Sequence, residues 1–451
     1  MLKITSKKLI LLAVDGIGAC AAVYAALFLR YGEAPVQQSL SQHFLIFCPV
    51  IALFFFLYYS FDFYDLSPFY SKLKQISRIV NIHLSLGVFG FGYFYLAADY
   101  TAFTPKTILV LFVLSSFVIS IVWRIFIAPQ MFSSDNKSKA LLIAEGEEYD
   151  ELREVVNSHS YFSFSFVDHL VVKDADLSKE DETLTLLRKL LEENAITQVV
   201  VDIRDVRTAS LLPYLYNLAS QRKIHVFDAA LVYQDILKKM PMRGIGHFWF
   251  FESVHLNIQA YEAVKRVLDI IVALPLLCVY VIFVPFIYLA IKLDDGGPLF
   301  SIQRRYGRGG KILNIYKIRT MQFTDDGDWV LQNKTNKVTK VGAFLRKTRL
   351  DEFPQLFNVL KGDVSLVGPR PDVLANGGKL SAQIPFYMMR YTVTPGLSGW
   401  AQVNQDVPPN SLEETKVRLQ YDLFYVKNRS LLLDFIIMIK TFRVLVLRTG
   451  I

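Results

Sequence analysis

Four long apolar runs dominate the first part of the chain. They lie at residues 9–29, 43–61, 79–97 and 106–128, and few charged side chains interrupt them. At about 1.5 Å per helical residue, each run can cross a hydrocarbon layer roughly 30 Å thick. The pattern therefore predicts a four-helix transmembrane bundle over residues 1–132.

Basic residues are unevenly distributed around these runs. Loops 30–42 and 98–105 contain a single basic residue, Arg30. By contrast, several basic residues precede the first run or lie between the second and third runs (Lys3, Lys7, Lys8, Lys72, Lys74 and Arg78). Cytoplasmic loops carry such an excess of positive charge, so both ends of the bundle are expected in the cytoplasm. Asp15 is the one acidic residue inside the first run. We interpret it as a helix-packing partner, with a functional role as the alternative.

Residues 136–250 show a different pattern. Short apolar runs alternate there with polar helical stretches (140–144, 147–157, 180–193, 198–203, 207–221 and 223–227). Such alternation is typical of a small parallel α/β domain. The first apolar run is followed by a single glycine, Gly146, between glutamates rather than by GxGxxG, and carboxylates there would repel a pyrophosphate. We predict a Rossmann-like domain without a nucleotide fingerprint, in a regulatory or scaffolding role.

A fifth apolar run at 267–291 opens the third predicted domain, 256–451. It is long enough to span a membrane, but a fifth crossing would place everything after it outside the cytoplasm. Basic residues flank both ends of the run, which a simple span does not favour.

Pro275 lies inside this fifth run and removes a backbone hydrogen-bond donor. The sequence therefore predicts a re-entrant membrane helix over about 266–291 that breaks at Pro275, with a kinked true span as the alternative. Lys265 and Arg266, just before the run, are expected to anchor it at the membrane surface. A later apolar segment, 430–448, is interrupted by charged residues and is expected to lie along the interface.

Composition agrees with a membrane protein, since hydrophobic residues make up 53% of the chain. The net charge of +8 would suit nucleic acid, anionic lipid or phosphorylated substrates. Because the membrane runs already explain a basic protein, no nucleic-acid partner is predicted. The cysteines form no CxxC pair and the histidines show no paired spacing, so neither a zinc site nor a disulfide framework is indicated.

The most informative polar segment is TRLDEFPQLFNVLKGDVSLVGPRP at 348–371. Pro354 suits the first turn of a helix, apolar residues follow it, and Gly362 fits the helix end. Asp351 and Glu352 are therefore expected at the helix N-terminus, which attracts phosphate. Because adjacent helical positions diverge by about 100°, one carboxylate can face a phosphorus atom while the other holds a metal. Ordinary helix capping is the alternative interpretation.

Basic segments surround these two carboxylates along the chain. Residues 303–311, QRRYGRGGK, form a glycine-rich basic loop, and 317–321, KIRTM, alternate as a strand would. Residues 368–371, GPRP, should form a stiff turn that fixes one guanidinium. Arginine pairs with phosphate oxygens in bidentate fashion, so these segments favour a phosphate site. The sequence contains no GxxxxGK[ST], which excludes a P-loop.

Six motifs follow in order after about residue 256: KRxxD before the proline-interrupted run, GGPLF, QxRxGRxGK, YKxRTM, LDEFPQLFNVLKGDVSLVGPRP and TPGLSGWAQVN. Together they resemble the polyprenyl-phosphate hexose-1-phosphate transferases, the monotopic phosphoglycosyl transferases of bacterial surface-polysaccharide assembly. The bundle followed by an α/β domain resembles the large members of that family, which include galactose- and glucose-phosphate transferases. The chain departs from the usual residues of these family motifs, for example with Arg349 in place of serine and Phe353 in place of leucine. Because of these departures, the sugar that is transferred is left unassigned.

The resemblance implies a fold and a reaction. A mostly helical monotopic catalytic domain would transfer a sugar-1-phosphate from a UDP-sugar to undecaprenyl phosphate and release UMP. This would be the first membrane step of capsule, exopolysaccharide or O-antigen assembly. Asp351 matches the nucleophile that forms a covalent phospho-sugar intermediate, and Glu352 matches the partner carboxylate that binds Mg²⁺. The enzyme would lie in the bacterial inner membrane, among its lipids, with its catalytic domain facing the cytoplasm.

Further positions follow from the same resemblance. Pro275 matches the proline at the re-entrant break. Five residues are expected to bind the substrate or its phosphates (Gln303, Arg305, Lys317, Arg319 and Arg370). The oligomeric state is left open, with a homodimer as one option.

Two other functions remain as alternatives. Tyr261 and Lys265 match the YxxxK pair of short-chain dehydrogenases, as in a membrane-bound UDP-sugar dehydratase, but no glycine fingerprint lies between 235 and 300. A non-catalytic membrane scaffold or regulator would be favoured by the loss of Asp351 or Glu352, and both are present.

Overall fold

The computed structural model describes residues 2–447 except 62, 65–71, 97–105, 129–130, 132–136, 160–161, 163, 173–179, 222, 244–258, 323–336 and 406. The chain forms two compact units, Met1–Leu237 and Lys238–Ile451. The predicted domain boundaries at 132–136 and 250–256 lie outside the described residues. The division into three domains stays a prediction.

Apolar helices occupy all four predicted positions in the first unit. They are α1 (Leu2–Tyr31), α2 (Glu33–Ser60), α3 (Lys72–Leu96) and α4 (Lys106–Ile121), which continues as a π-helical turn, Val122–Ile127. By length and composition, α1, α3 and α4 with its extension can each cross a membrane, and the apolar part of α2 is shorter. Large apolar side chains such as Ile17 and Leu84 remain exposed. The unit is consistent with a membrane-associated protein.

An ion pair joins α1 to the extension of α4. Asp15 is buried, and its carboxylate accepts a hydrogen bond from Nη2 of Arg124. Arg124 also donates to the Phe63 carbonyl oxygen at 2.9 Å and lies over the rings of Tyr58 and Tyr64. The interpretation of Asp15 as a helix-packing partner is confirmed.

A four-stranded parallel sheet forms the rest of the first unit. Its strands lie in the order β2-β1-β3-β4. They are β1 (Ser138–Ile143), β2 (Phe164–Leu170), β3 (Gln198–Val201) and β4 (His225–Asp228). Strand β2 was not predicted, because it is an edge strand whose sequence mixes polar and apolar residues.

Helices cover both faces of this sheet, and three of the four lie in stretches that the sequence predicted to be helical. They are α5 (Glu147–Ser158), α6 (Glu180–Glu193), α7 (Leu212–Ser220) and α8 (Ala229–Leu237). Ala140 and Leu142 of β1 face the core formed with α5 and α8, whereas Leu141 and Ile143 face the core formed with α6 and α7. Strands buried on both faces explain the continuous apolar run of β1.

The second unit contains one long apolar helix, α9 (Gln259–Asp294). The expected helical break at Pro275 is not confirmed, because α9 is continuous through both Pro275 and Pro285. Proline inside an apolar helix is tolerated where neighbouring groups satisfy the freed backbone carbonyl. One stripe of α9 is buried, including Asp269, Ala273 and Tyr280, and most of its other large apolar side chains are exposed.

Short elements complete the second unit. Strands β5 (Phe300–Tyr306) and β6 (Ile312–Ile318) form an antiparallel hairpin, and β7 (Ser365–Val367) pairs in parallel with β8 (Gly396–Ser398). The helices are α10 (Lys340–Thr348), α11 (Gln355–Lys361), α12 (Leu374–Gln383), α13 (Trp400–Asn404), α14 (Leu412–Asn428) and α15 (Leu431–Leu447). The structure as a whole is mostly helical.

The charged residues that interrupt the last apolar segment are buried in the second unit. Asp434 accepts hydrogen bonds from Tyr261, Lys265 and Tyr425 at 2.7 to 2.8 Å. Arg443 donates to a backbone carbonyl at 3.2 Å. These contacts explain why charges interrupt α15, and its position at the membrane interface stays a prediction.

Candidate active site

Asp351 and Glu352 lie in a separate 3-10 turn, Leu350–Glu352, and not in the first turn of α11. The expectation that they open α11 is therefore corrected. Arg349, which precedes the turn, adopts a left-handed conformation with φ of 60° and ends α10. Phe353 and Pro354 then continue in right-handed helical conformation into α11. The left-handed conformation of Arg349 ends α10 and changes the direction of the chain. It therefore separates the two carboxylates from α10.

Lys317 of β6 lies between the two carboxylates. Its Nζ is 3.5 Å from Oδ2 of Asp351 and 3.3 Å from Oε1 of Glu352. Arg370 contacts Glu352 from the other direction, with Nη2 2.5 Å from Oε1 and Nη1 3.5 Å from Oε2. The structure thus brings together four of the predicted site residues, two anionic and two cationic.

The two carboxylates have opposite electrostatic environments. Burial raises the pKa of Asp351, the neighbouring Lys317 opposes that rise, and Glu352 adds to it. Burial alone would also raise the pKa of Glu352, but Arg370 and Lys317 hold this pKa well below its ordinary value. Of the two carboxylates, Glu352 is therefore the one whose environment favours the charged form. Asp351 keeps one buried oxygen, Oδ1, that has no hydrogen-bond partner among the described residues.

Gln303 and Arg305 lie on β5, and Arg305 contacts the loop that carries Arg370. Arg305 donates to the carbonyl oxygen of Pro371 at 2.8 Å and to Oε1 of Gln303 at 2.6 Å. Burial, helped by the charge of Arg370, lowers the pKa of Arg305 to about 10. Both side chains are buried and support the loop, and their phosphate-binding role stays a prediction.

Arg319 lies beyond the C-terminal end of α9 rather than in contact with the carboxylates. It donates to the carbonyl oxygens of Pro298, Met321 and Gln322 at 2.9 to 3.1 Å and pairs with Asp295. These contacts fix the chain that leaves α9. Its predicted role in phosphate binding is not tested by them.

Sequence reasoning missed a buried ionic network that supports Arg370. Arg390 is fully buried between Asp372 and Asp422, at 2.5 and 2.6 Å, and Arg418 pairs with Asp372 at 2.7 Å. Burial opposes ionisation of Asp372, but Arg390 and Arg418 lower its pKa below its ordinary value. These residues are distant in sequence, so no local pattern predicts that they pair with one another.

Lys265 and Arg266 connect α9 to the rest of the second unit. Lys265 pairs with Asp434 at 2.7 Å, and Arg266 donates to the carbonyl oxygens of Val359 and Leu360 at 2.5 Å each. The arginine thus caps the C-terminal end of α11, where a positive charge is favoured. Their predicted anchoring at the membrane surface stays a prediction.

The fold and site define a membrane-associated protein with a carboxylate pair set among basic side chains. The bacterial sugar transferase family matches residues 260–448. A UDP-glucose:undecaprenyl-phosphate glucose-1-phosphate transferase of Caulobacter vibrioides is 41% identical over 40% of this chain and 69% of the relative. The chain belongs to this family of polyprenyl-phosphate hexose-1-phosphate transferases, and the resemblance found in the sequence is confirmed.

Two other relatives show how far the similarity extends. A UDP-N-acetylgalactosamine-undecaprenyl-phosphate N-acetylgalactosaminephosphotransferase of Aeromonas hydrophila is 39% identical over 42% of this chain and 45% of the relative. The similar region therefore spans less than half of that relative. An uncharacterized sugar transferase of Haemophilus influenzae is 26% identical over 85% of this chain and 84% of the relative. That similarity covers most of both units.

Proposed function

We propose that the protein transfers a sugar-1-phosphate from a UDP-sugar to undecaprenyl phosphate and releases UMP. The relatives from Caulobacter and Aeromonas are named for such transfers, with UDP-glucose or UDP-N-acetylgalactosamine as the donor. The single observation that carries the proposal is the division of roles between two adjacent carboxylates. Glu352 is held charged by Arg370 and Lys317, while Asp351 keeps a buried oxygen without a partner among the described residues.

In the proposed first step, Oδ1 of Asp351 attacks the phosphorus that bears the sugar. A bond forms between Oδ1 and phosphorus, the bond from that phosphorus to the UMP oxygen breaks, and UMP leaves with the electron pair. Lys317, 3.5 Å from the other oxygen of Asp351, favours the ionised form that this attack requires. The product of the step is a covalent aspartyl phospho-sugar.

In the second step, a phosphate oxygen of undecaprenyl phosphate attacks the same phosphorus. The bond between phosphorus and Asp351 breaks, the carboxylate is regenerated, and a polyprenyl-diphospho-sugar is released. Covalent catalysis thus divides one difficult transfer into two easier ones. Arg370 and Lys317 supply positive charge beside the phosphorus in both steps.

The carboxylates fit the magnesium ion that the family implies. Mg²⁺ is usually held by one or two carboxylates together with substrate phosphates and water. The lowered pKa of Glu352 favours its ionised form, and among the described residues its Oε2 contacts Arg370 at 3.5 Å, so it would hold the ion together with the donor phosphates. No cluster of three metal-binding side chains occurs in the described part of the chain. When bound, the ion would neutralise charge on the transferred group.

We further propose that α9 is re-entrant and that the catalytic unit faces the cytoplasm of a bacterial inner membrane. Both ends of α9 contact the same unit: Arg266 binds the end of α11, and Asp294 accepts a hydrogen bond from the Val341 backbone at 2.9 Å. A helix that crossed a bilayer would have its ends on opposite sides. In the same proposal the α/β domain is Rossmann-like without a nucleotide site, and the product enters capsule, exopolysaccharide or O-antigen assembly.

The experiment that tests this function is mass spectrometry of purified protein incubated with UDP-glucose or UDP-N-acetylgalactosamine alone. We expect wild-type protein to gain the mass of a sugar phosphate and to release about one UMP per active site. Asp351→Asn should do neither, whereas Asp150→Asn, an exposed substitution on α5, should behave as wild type.

Other outcomes of this experiment point to the alternatives. Absence of the adduct, with kinetics that require donor and acceptor together, would overturn the covalent mechanism. Formation of a 4-keto sugar would indicate a dehydratase. Absence of adduct, UMP release and 4-keto sugar with every donor would indicate a scaffold. The dehydratase is not favoured, because Tyr261 and Lys265 both bind Asp434.

A further inference from the structure

Asp351 and Glu352, called the dyad below, contact the cations Lys317 and Arg370. Two more buried polar side chains lie near Asp351, and these contacts do not explain them. The hydroxyl of Tyr280 and Nε2 of Gln355 have no hydrogen-bond partner among the described residues, as is true of Oδ1 of Asp351. All three side chains are deeply buried, at 3%, 4% and 5% exposure for Tyr280, Gln355 and Asp351. Leaving a buried polar group unpaired is unfavourable, so three such groups in one region call for an explanation.

Tyr280 approaches the dyad from the membrane-associated helix α9. Its ring stacks on that of Phe353 with centroids 5.2 Å apart, and it belongs to the same hydrophobic cluster as Leu350. Leu350 and Phe353 flank Asp351 and Glu352 in the chain, so the stack on Phe353 places the Tyr280 ring beside the dyad turn. The stack also accounts for phenylalanine at position 353.

Gln355 approaches from the chain that follows the dyad. The backbone from Leu350 through Pro354 is right-handed and helical and leads directly into α11. Gln355 is the first residue of α11 and follows Asp351 by about one helical turn along this segment. Its amide supplies two N–H donors, and only Nε2 among the amide atoms is both buried and unpaired in the structure.

We propose that Tyr280 and Gln355 donate hydrogen bonds to the non-bridging oxygens of the phosphoryl group that Asp351 takes up. The three unpaired atoms comprise one acceptor that becomes bonded to phosphorus and two donors, which matches a phosphoryl group with negatively charged oxygens. Donors aimed at such oxygens in a buried site stabilise the transition state more than they would in water. The assignment rests on the proposed function and adds two substrate-contacting residues to it.

The test compares three variants of the full-length purified protein. Tyr280→Phe keeps the ring that stacks on Phe353 and removes only the hydroxyl. Gln355→Met keeps the length of the side chain and removes the amide. Tyr288→Phe is the matched control, since Tyr288 lies on the same helix and is 48% exposed. UMP release is measured with UDP-glucose and with UDP-N-acetylgalactosamine, first without and then with undecaprenyl phosphate, and rates are normalised to folded protein.

We expect kcat to fall about 10- to 100-fold in Tyr280→Phe and in Gln355→Met, with KM for the donor within about twofold of wild type. The rate of the UMP burst with donor alone should fall by a similar factor, and Tyr288→Phe should match wild type. A purely structural role would lower the melting temperature and leave kcat per folded enzyme unchanged.

Two results would count against the assignment in distinguishable ways. If wild-type protein releases UMP and both Tyr280→Phe and Gln355→Met keep its kcat, the hydrogen bonds are not made and only this inference is wrong. If wild-type protein releases no UMP from any member of a panel of UDP-sugars that includes these two donors, the proposed function fails, and the inference fails with it.

Discussion

The guanidinium of Arg370 contacts both carboxylate oxygens of Glu352, with nitrogen–oxygen distances of 2.5 and 3.5 Å. The backbone carbonyl oxygen of the same arginine accepts hydrogen bonds from Arg390 and Arg418 at 3.0 and 3.2 Å. Arg370 is therefore fixed at its backbone and at its side chain. A residue held in this way can keep Glu352 charged and oriented while Asp351 remains available for chemistry.

Glu352→Gln tests the role of the charged carboxylate. Removal of one negative charge next to Arg370 and Lys317 should lower UMP release at least about tenfold and shift the Mg²⁺ titration to higher concentrations, because the ion loses an anionic ligand. The measurement is initial rate against Mg²⁺ concentration. Glu413→Gln, on the exposed surface of α14, is the control. An unchanged midpoint would exclude Glu352 as a ligand.

Arg390→Met tests the network behind Arg370. The substitution leaves Asp372 and Asp422 buried without their main partner, and breaking a buried pair costs about 3–5 kcal/mol. We expect a large fall in the melting temperature of the second unit, measured in detergent. Lys416→Met breaks an exposed pair with Glu413 and should change the free energy of unfolding by about 1 kcal/mol or less. Similar melting temperatures for the two variants would contradict this account.

The pH dependence of stability should report on Asp372. Its pKa in the folded protein is lowered by Arg390 and Arg418, so its stabilising contribution is fully present above the unfolded pKa of about 3.9. That contribution is lost as the pH falls through the lower folded value. The gap in melting temperature between wild type and Asp372→Asn should therefore be constant from pH 7 to about pH 5 and narrow below about pH 4. A gap that widens on acidification would show the opposite sign.

Gly396→Ala tests the close approach of β7 and β8. A Cβ at position 396 would lie 2.1 Å from the backbone nitrogen of Gly368, which cannot move without separating the strands. We expect a loss of several kcal/mol in the free energy of unfolding and a fall in activity, because Gly368 begins the turn that carries Arg370. Gly92→Ala, on α3, meets nothing within 4 Å and should be neutral or slightly stabilising. Equal stability of the two variants would refute the steric argument.

A double-mutant cycle tests the ion pair in the helical bundle. Asp15→Leu alone leaves the buried Arg124 without its carboxylate and should destabilise the first unit strongly. Adding Arg124→Met removes the unpaired charge and should restore part of the lost stability. Thermal unfolding in detergent measures Asp15→Leu, Arg124→Met and the double variant. Strict additivity of the two substitutions would show that the pair is not coupled.

Local patterns predicted the helices well, because apolar length and helix termini are properties of short segments. The four runs before residue 128 and the long run that became α9 are examples. Local patterns failed where several elements had to be combined. Strand β2 was missed because only its neighbour β1 makes it part of a sheet. The break at Pro275 was expected from the chemistry of proline alone, whereas α9 remains continuous in the packed unit.

By itself, the sequence determined the membrane character of the chain, its parallel α/β segment, its family and the adjacency of Asp351 and Glu352. Only the tertiary structure decided that Arg370 and Lys317 contact Glu352, that Arg319 supports the chain after α9, and that Tyr280 of α9 stacks on Phe353 next to the two carboxylates. The physical reason is that an ion pair or an unpaired buried atom depends on which distant segments pack together. That packing is set by the whole core and not by the residues next to each group in the chain.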